Sequence, residues 1–265
     1  MKLFNWRWSR SVADAGSVYV TEKHGVRSLH VGSDTIQSSM RLSRPNDLEL
    51  AYTRSMMGFL LFNPAPQHAL MVGLGGGSLA KFVYHRLPQT MVEVLEINPD
   101  VVAIARRYFQ VPSGDERLTV RVCDAAEFME REGTRYDVIL VDGYDDDEPP
   151  PSLSSRQFYL ACRNRLAPGG VVVVNLWGSD RRFDEYVARI ESVFPKATLR
   201  LPAEKPGNVV LFAFRDPPGD QRWDELESRA GELEANYALE FGRFVRGLRK
   251  MNRNDGERLY LSTPA

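Results

Sequence analysis

The chain has 265 residues, of which 43% are hydrophobic and 26% charged, so it can form one large or two unequal folded domains and is not expected to be disordered. Lysine and arginine number 34 and aspartate and glutamate 35, and the resulting net charge of -1 excludes a global positive field that would attract nucleic acid or an anionic membrane. Cys123 and Cys162 lack CxxC spacing, which indicates neither a zinc site nor a disulfide framework. We therefore expect a cytoplasmic protein without a metal.

The N-terminal residues predict a small antiparallel β-domain. Short β-rich segments separated by turns predict strands over 17–22, 26–31 and 35–38. A helix follows, with Leu48, Tyr52 and Phe59 at helical spacing, and Asn63-Pro64 ends it. We assign residues 1–64 to this first domain. The start of the chain lacks the apolar stretch of a signal peptide, and no apolar run approaches the ~20 residues that span a bilayer, so neither secretion nor membrane insertion is expected.

Between residues 65 and 215, apolar strands alternate with helices. The predicted strands cover 69–72, 92–95, 118–122, 138–141 and 171–176, and the predicted helices cover 78–86, 99–108, 125–132, 155–166 and 182–194. Strands that are apolar on both faces and separated by helices form a doubly wound, mostly parallel α/β sheet. The last two strands, 197–201 and 209–214, are joined by too short a link for a parallel crossover, so an antiparallel last strand is expected.

The C-terminal region, residues 216–265, is predicted to be a helical extension. Apolar residues recur at helical spacing from Leu226 to Leu248 without an obvious interruption. This pattern predicts one long amphipathic helix that packs on the α/β domain or on a partner.

A glycine-rich loop follows the first strand of the predicted sheet, and ligands of such sheets bind beyond the carboxyl ends of the strands. Its glycines are Gly73, Gly75, Gly76 and Gly77. They allow a tight turn and let a ligand approach the start of the next helix. Such loops bind NAD, FAD, nucleotides or S-adenosyl compounds, and some are only tight turns. An NAD dehydrogenase fits less well, because its motif would place glycine or alanine at Ser78.

Acidic residues follow the next three strands. Glu96 ends the second strand and is well placed to accept both ribose hydroxyls of an adenosine. Asp124 ends the third strand, where it can accept a hydrogen bond from the adenine amine or simply cap the next helix. Asp142 emerges from the fourth strand and is followed by Asp145 and the acids 146–148, which either attract a cation or form a solvated loop. Together these acids favour a site for an adenosine and a second, positively charged group.

In these residues the chain resembles the spermidine synthase family of aminopropyltransferases, which share the class I methyltransferase fold. The resemblance extends over roughly residues 17–215. Its segments are Gln37, the glycine loop, Glu96-Ile-Asn-Pro99, Asp124-Ala125, Asp142-Gly-Tyr-Asp145, Gln157-Phe-Tyr159 and Leu166-Ala-Pro-Gly-Gly170.

The resemblance implies a role for each matching residue. Glu96 would bind the ribose of decarboxylated S-adenosylmethionine, and Asp124 with Ala125 would bind its adenine. Asp142 would be the catalytic carboxylate and Asp145 an anchor for the amine substrate. Gln37 would line the site beside the cofactor and Tyr52 beside the amine, under a gatekeeping loop over residues 143–154. The family commonly dimerises, so a homodimer is expected.

The chain departs from the family pattern at three positions. Gly76 stands where the family has an acid that meets the aminopropyl ammonium. Arg54 stands where a glutamate commonly contacts the diamine, and Lys205 stands where an aromatic residue usually flanks the polyamine. The form of the cofactor and the identity of the acceptor amine are therefore left open.

Three functions are consistent with these residues. The leading hypothesis is transfer of an aminopropyl group from decarboxylated S-adenosylmethionine to a di- or polyamine. The nearest alternative is an S-adenosylmethionine-dependent methyltransferase, because Gly76 leaves room for the carboxylate of the intact cofactor, which an aspartate would repel. The third is a non-catalytic protein that binds adenosine or polyamines, because all three departures lie on the substrate side of the site.

Overall fold

A computed structural model describes residues 10–15, 18–131, 133–143, 149–203 and 207–261. The strands are β1 (Arg10–Ala15), β2 (Val18–Lys23), β3 (Val26–Val31), β4 (Ser38–Arg41), β5 (His68–Val72), β6 (Met91–Glu96), β7 (Leu118–Val122), β8 (Tyr136–Val141), β9 (Leu166–Trp177), β10 (Thr198–Pro202), β11 (Asn208–Phe214), β12 (Gln221–Arg222) and β13 (Arg258–Leu259). The helices are α1 (Ala51–Met56), which continues as a 3₁₀ helix (Met57–Leu61), α2 (Ser78–Arg86), α3 (Pro99–Tyr108), α4 (Ala125–Glu130), α5 (Arg156–Arg165), α6 (Phe183–Val193), α7 (Trp223–Tyr237) and α8 (Phe241–Met251).

The central sheet has seven strands in the order β10-β11-β9-β8-β5-β6-β7. Strands β5 to β9 run parallel, and β11 pairs antiparallel with both β9 and β10. The chain starts in the middle at β5, builds outwards through β6 and β7, and then returns to add β8 and β9 on the other side. This order confirms the predicted doubly wound sheet with its antiparallel strand, and it places the topological switch between β5 and β8, where such sheets bind their ligands.

The N-terminal strands form a separate antiparallel sheet in the order β1-β2-β3-β4. Its buried side chains, among them Val20 and Leu29, pack against Ile104 and Phe109 at α3. The small sheet is therefore packed against α3. The predicted strand over residues 35–38 was placed too early, because residues 32–35 bend and the pairing with β3 begins at Ser38. The sequence pattern also gave no indication of β1.

The C-terminal region differs from the prediction of one long helix. Two helices, α7 and α8, are separated at Ala238, whose backbone has a left-handed φ of 54°. Apolar periodicity extends across the break because both helices turn their apolar faces to the same core, where Leu226 and Leu248 are fully buried. Helix α8 packs on α7 and on the edge strand β10. Its apolar face is therefore covered within the chain and is not available to a partner.

None of the helices in the described part of the chain has the length and hydrophobicity that crossing a membrane requires. Both cysteines carry free thiols, and Cys162 is buried.

Lys81 in α2 is a fully buried cation that connects three elements. Its Nζ donates to the backbone oxygens of Phe109 at 2.6 Å and Pro45 at 2.7 Å, and it lies 3.2 Å from Met40 Sδ. The Phe109 oxygen belongs to the carboxyl end of α3, where a positive charge is favourable. All three acceptors are neutral, and burial lowers the pKa of Lys81 to about 8.

We expect Lys81 to make the protein more stable as the pH rises from 8 to 10, by roughly 2 kcal/mol. In this window the unfolded lysine, with its usual pKa near 10.5, holds more protons than the folded one, so unfolding takes up a proton and the free energy of unfolding increases with pH. Urea unfolding at both pH values, with Lys81→Met as the reference that lacks this group, measures the contribution. An identical pH dependence in the two proteins would contradict the lowered pKa.

Candidate active site

A cavity of about 740 Å³ lies beyond the carboxyl ends of strands β5 to β9 and is bordered by the segment after β3. Of the residues predicted for the site, it brings together Gln37, Tyr52, Gly73, Gly75, Glu96, Asp124, Ala125 and Asp142. Asp145 and Lys205 lie outside the described residues, as do the acids 146–148. Ser152 of the predicted gatekeeping loop also lines the cavity, as do polar and aromatic residues that the sequence analysis did not assign to the site, among them Ser38, Cys123, Asn175, Trp177 and Asn208.

The glycine loop lies directly against Asp142. Gly73 has a φ of +93°, and a Cβ added there would lie 2.5 Å from the backbone oxygen of Asp142. The backbone N–H of Asp142 donates to the oxygen of Val72, which precedes the loop, at 2.9 Å. Both the conformation and the contact require glycine at position 73. The loop and the carboxylate therefore meet at the switch point between β5 and β8.

Gly76 and Gly77 are buried and pack against protein atoms instead of the cavity. A Cβ at Gly76 would lie 2.7 Å from Ser38 Oγ and 2.8 Å from Phe109 Cδ1, and one at Gly77 would lie 2.3 Å from Val111 Cγ2. Both glycines therefore shape the loop, and their role as cofactor contacts stays a prediction. The position where the resemblance places an acid has no room for one, and the nearby wall carries the hydroxyl of Ser38.

Glu96 is held by backbone donors in one half of the cavity. Its side chain is buried, Oε2 accepts from the N–H of Leu74 and Oε1 accepts from the N–H of Asn98, both at 2.9 Å. Each carboxylate oxygen retains a second lone pair that a ligand hydroxyl can use. Because Leu74 belongs to the glycine loop, this carboxylate also fixes the loop relative to β6.

Asp124 caps helix α4, as the alternative interpretation of this residue predicted. Its Oδ1 accepts from the N–H groups of Ala126 at 2.7 Å and Glu127 at 3.3 Å. The cap does not exclude a ligand, since Asp124 and Ala125 both line the cavity and a carboxylate has further lone pairs. With Glu96, they form an acidic half of the cavity beyond β6 and β7.

Asp142 lies in the other half and accepts a hydrogen bond on each carboxylate oxygen. Asn175 Nδ2 donates to Oδ1 at 2.9 Å, and the Tyr52 hydroxyl donates to Oδ2 at 3.1 Å. Burial raises the pKa of Asp142 above its ordinary value, while these two hydrogen bonds oppose the shift by stabilising the anion. Asn175 is itself bonded to Asn208 Nδ2 through its Oδ1, at 3.0 Å. The predicted catalytic carboxylate thus lies in a polar cluster.

Trp177 borders the same half of the cavity and is 45% exposed. It follows Asn175 by two residues on β9, and it pairs across the sheet with Asn208. Asn175, Trp177 and Asn208 lie together because β9 pairs antiparallel with β11 at the carboxyl end of β9. The indole of Trp177 therefore gives this cavity an apolar part of its wall.

Arg54, where the family commonly has a glutamate, is directed away from the cavity. Its Nε donates to Glu240 Oε1 at 3.0 Å, and its Nη1 donates to the backbone oxygens of Leu48 and Glu49. It ties α1 to the turn before α8. The family's diamine contact is therefore not replaced by a cation in the cavity wall.

The described residues contain no group of three or more histidine, cysteine, aspartate or glutamate side chains arranged to hold a metal ion.

The sheet order and the position of the cavity define a class I methyltransferase-like α/β protein. A family model described as a spermine/spermidine synthase domain matches residues 49–200. A curated polyamine aminopropyltransferase of Neisseria meningitidis is 43% identical over 245 residues, which cover 92% of this chain and 93% of the relative. The chain therefore belongs to the spermine/spermidine synthase family and is a transferase of the spermidine synthase type.

Solved structures give the same fold. A spermidine synthase in complex with the transition-state analogue AdoDATO has a TM-score of 0.72, covering 90% of this chain and 85% of its own, at 19% identity. Human methyltransferase-like protein 13 in complex with SAH has a TM-score of 0.62, covering 78% of this chain and 96% of its own, at 26% identity. The predicted fold class and family are confirmed.

Proposed function

We propose that this enzyme transfers the aminopropyl group of decarboxylated S-adenosylmethionine to a di- or polyamine and releases methylthioadenosine. The single observation that carries the proposal is the position of Asp142, a hydrogen-bonded carboxylate beside a cavity whose other half holds Glu96 and Asp124. Family membership supports the reaction type. The division of the cavity into two halves supports one subsite for the cofactor and one for the amine. The same residues were assigned from the sequence.

The adenosine half binds the cofactor. Glu96 accepts the ribose hydroxyls through the lone pairs that its backbone donors leave, and Asp124 accepts from the adenine amine. Gly73 and Gly75 let the cofactor approach the loop, and Gln37 borders it from the N-terminal sheet. These contacts direct the sulfonium towards the switch point, where Asp142 lies.

The transfer is a direct displacement at carbon. The amine nitrogen attacks the carbon next to the sulfonium, a C–N bond forms, and the C–S bond breaks with its electron pair moving to sulfur. The sulfonium is already a good leaving group, so the protein must mainly align the amine and leave its lone pair free. An aliphatic amine has a pKa near 10 and is mostly protonated at pH 7, so Asp142 accepts the proton that the nitrogen must lose.

The amine subsite extends from Asp142 past Trp177. The indole covers the methylene groups of the acceptor, and its face attracts a second, cationic nitrogen. Asp145, which lies outside the described residues, is the proposed anchor for that distal ammonium. An acceptor with two charged ends separated by a short alkyl chain fits these groups.

Methyl transfer from intact S-adenosylmethionine is the second candidate function. The cavity wall beside Gly76 carries the hydroxyls of Ser38 and Ser78, whose oxygens lie 3.3 Å apart, in place of the carboxylate that would repel the intact cofactor. The similarity to human methyltransferase-like protein 13, solved in complex with SAH, also favours methyl transfer. A protein that binds adenosine or polyamines without catalysis is the third reading of the site.

Calorimetry against both cofactors, combined with mass spectrometry of the products, tests the proposal. We expect decarboxylated S-adenosylmethionine to bind more tightly than the intact cofactor and to yield an aminopropylated amine with methylthioadenosine. Tighter binding of the intact cofactor with a methylated amine would support the second function. Binding of methylthioadenosine without any product from either cofactor would leave the non-catalytic protein.

We also propose a homodimer in the cytoplasm. The C-terminal helices do not provide its interface, since their apolar faces are covered within the chain. Val122 on the edge strand β7 is an exposed apolar side chain outside the cavity wall that a partner would cover. Light scattering should give twice the 30.0 kDa chain mass, and a monomeric mass would reject the dimer. The location in the cytoplasm is supported by the two free thiols, Cys123 and Cys162, which fit a reducing compartment.

A further inference from the structure

Two amide side chains, Asn208 and Asn175, form a hydrogen-bonded chain that leads to the carboxylate of Asp142 in a fixed direction. An ionised carboxylate only accepts hydrogen bonds, so Asn175 must present its NH₂ group to Asp142. The amide oxygen of Asn175 then points to Asn208, which must present its own NH₂ group. The order of donation is Asn208 to Asn175 to Asp142, and each partner has the complementary group.

The sheet register explains why Asn208 reaches Asn175. In the antiparallel pair, Asn175 is opposite Val210 and Asn208 is opposite Trp177. Asn208 is two residues from Val210, so its side chain lies on the same face of the sheet as Val210 and Asn175. Asn208 is therefore the diagonal neighbour of Asn175. The side chain of Asn175 is 5% exposed, so its amide groups depend on protein partners. By donating to the amide oxygen, Asn208 favours the orientation in which the NH₂ group of Asn175 faces Asp142.

We propose that Asn208 is a positioning residue that orients the Asn175 amide as a hydrogen-bond donor to Asp142 and so holds this carboxylate ready to accept the proton of the amine. The inference rests on the proposed function, because it assigns a purpose to the orientation of Asp142. Without Asn208, the Asn175 amide can turn, and its oxygen would then face the carboxylate. Two acceptors facing each other repel unless the carboxylate takes up a proton.

The groups around Asp142 limit what else can change its protonation. Tyr52 on α1 donates to its second oxygen, and burial acts against the hydrogen bonds. The other titratable groups of the described cavity wall are Glu96, Cys123 and Asp124, beyond β6 and β7. The acids 145–148 follow Asp142 in sequence and lie outside the described residues. Substitution of Asn208 leaves all of these groups in place, so a change in titration reports on the amide orientation.

The first test is the pH dependence of turnover in Asn208→Val, a residue that suits a strand. We expect the low-pH limb of the kcat profile to move up by about one pH unit, because the anion of Asp142 loses a donor. The value of kcat should fall several-fold at neutral pH, while KM for the amine changes little. Asn208→Leu keeps the approximate size and removes the donor without adding a charge, so it should shift the limb in the same direction even where the valine variant folds poorly.

A double-mutant cycle separates positioning from direct contact, since Asn208 also borders the cavity. If Asn208 acts through Asn175, adding Asn208→Val to Asn175→Leu changes neither the profile nor KM further. A further rise in KM for the amine in the double variant would show that Asn208 contacts the substrate itself. That result would overturn the inference. A kcat–pH profile that is unshifted in both single variants of Asn208 would overturn it too.

A titration that needs no turnover distinguishes this inference from the proposed function. In protein labelled with ¹³C at the aspartate carboxyl, the signal that disappears in Asp142→Asn belongs to Asp142. We expect this signal to titrate at a higher pH in Asn208→Val than in the wild type. Equal titrations would reject the positioning role of Asn208, whereas absence of product from the wild type would reject the proposed function alone.

Discussion

Replacing Asp142 by asparagine should lower kcat by a factor of roughly 10² to 10⁴, the range for loss of a positioned general base. Asparagine keeps the size of the side chain and can still accept from Tyr52 or Asn175, so the fold and the cavity are retained. It cannot take up the proton of the amine. Because Glu96 and Asp124 are untouched, methylthioadenosine should bind as in the wild type. Steady-state kinetics with saturating amine, together with calorimetry of methylthioadenosine, measure the two effects separately.

Asp224→Asn is a matched control for this substitution. Asp224 is an exposed aspartate that pairs with Arg222 at the start of α7, outside the cavity wall. It should leave both measurements unchanged. Wild-type turnover in Asp142→Asn would exclude Asp142 as the proton acceptor. A parallel loss of methylthioadenosine binding would mean that the substitution disturbs the contact with Gly73 instead of the chemistry.

Much of the α/β fold could be predicted because its strands are apolar on both faces and its helices are separated by clear breaks. Helices α2 and α3 begin and end at the predicted residues, and the acids after β6, β7 and β8 line one cavity, as the rule for parallel sheets requires. The division into domains at residues 64 and 215 stays a prediction. The N-terminal sheet shares its packing with α3, so a boundary in sequence does not separate the two cores.

The amine half of the site was harder to predict, because it depends on strand register. Asn175 carried a signal, since it is a polar residue within the apolar run of β9, and a buried amide requires partners. Asn208 carried none, because its meeting with Asn175 follows from the pairing of β11 with β9. The break between α7 and α8 was also hidden, as Ala238 is not a residue that usually adopts a left-handed conformation.

The glycine loop follows β5 as the sequence predicted, and its glycines meet different structural requirements. Gly73 is required by its φ and by the contact with Asp142, and that contact involves residues 69 positions apart. Gly76 was expected to leave room for a ligand carboxylate. In the structure, Ser38 of the N-terminal sheet and Phe109 after α3 fill that space, so neither leaves room for a side chain at position 76.

Glu96→Gln should weaken the binding of methylthioadenosine by a factor of about 10 to 100, because hydrogen bonds to a charged group contribute roughly 1.5–3 kcal/mol. The carboxylate accepts from the N–H groups of Leu74 and Asn98 with different oxygens. A glutamine side chain has one oxygen, so its NH₂ group would face one of these donors, and the ribose would lose a charged acceptor. The glycine loop would also lose part of its support.

Calorimetric titration with methylthioadenosine measures this loss without requiring turnover. Glu116→Gln is the matched control, since Glu116 is an exposed glutamate outside the cavity wall, and it should bind as the wild type does. The melting temperature without ligand separates the two consequences of Glu96→Gln, because displacement of the loop lowers it and loss of the ribose contact does not. A dissociation constant within twofold of the wild-type value would show that the ribose does not bind to Glu96, and the adenosine half of the site would then have to be assigned to other residues.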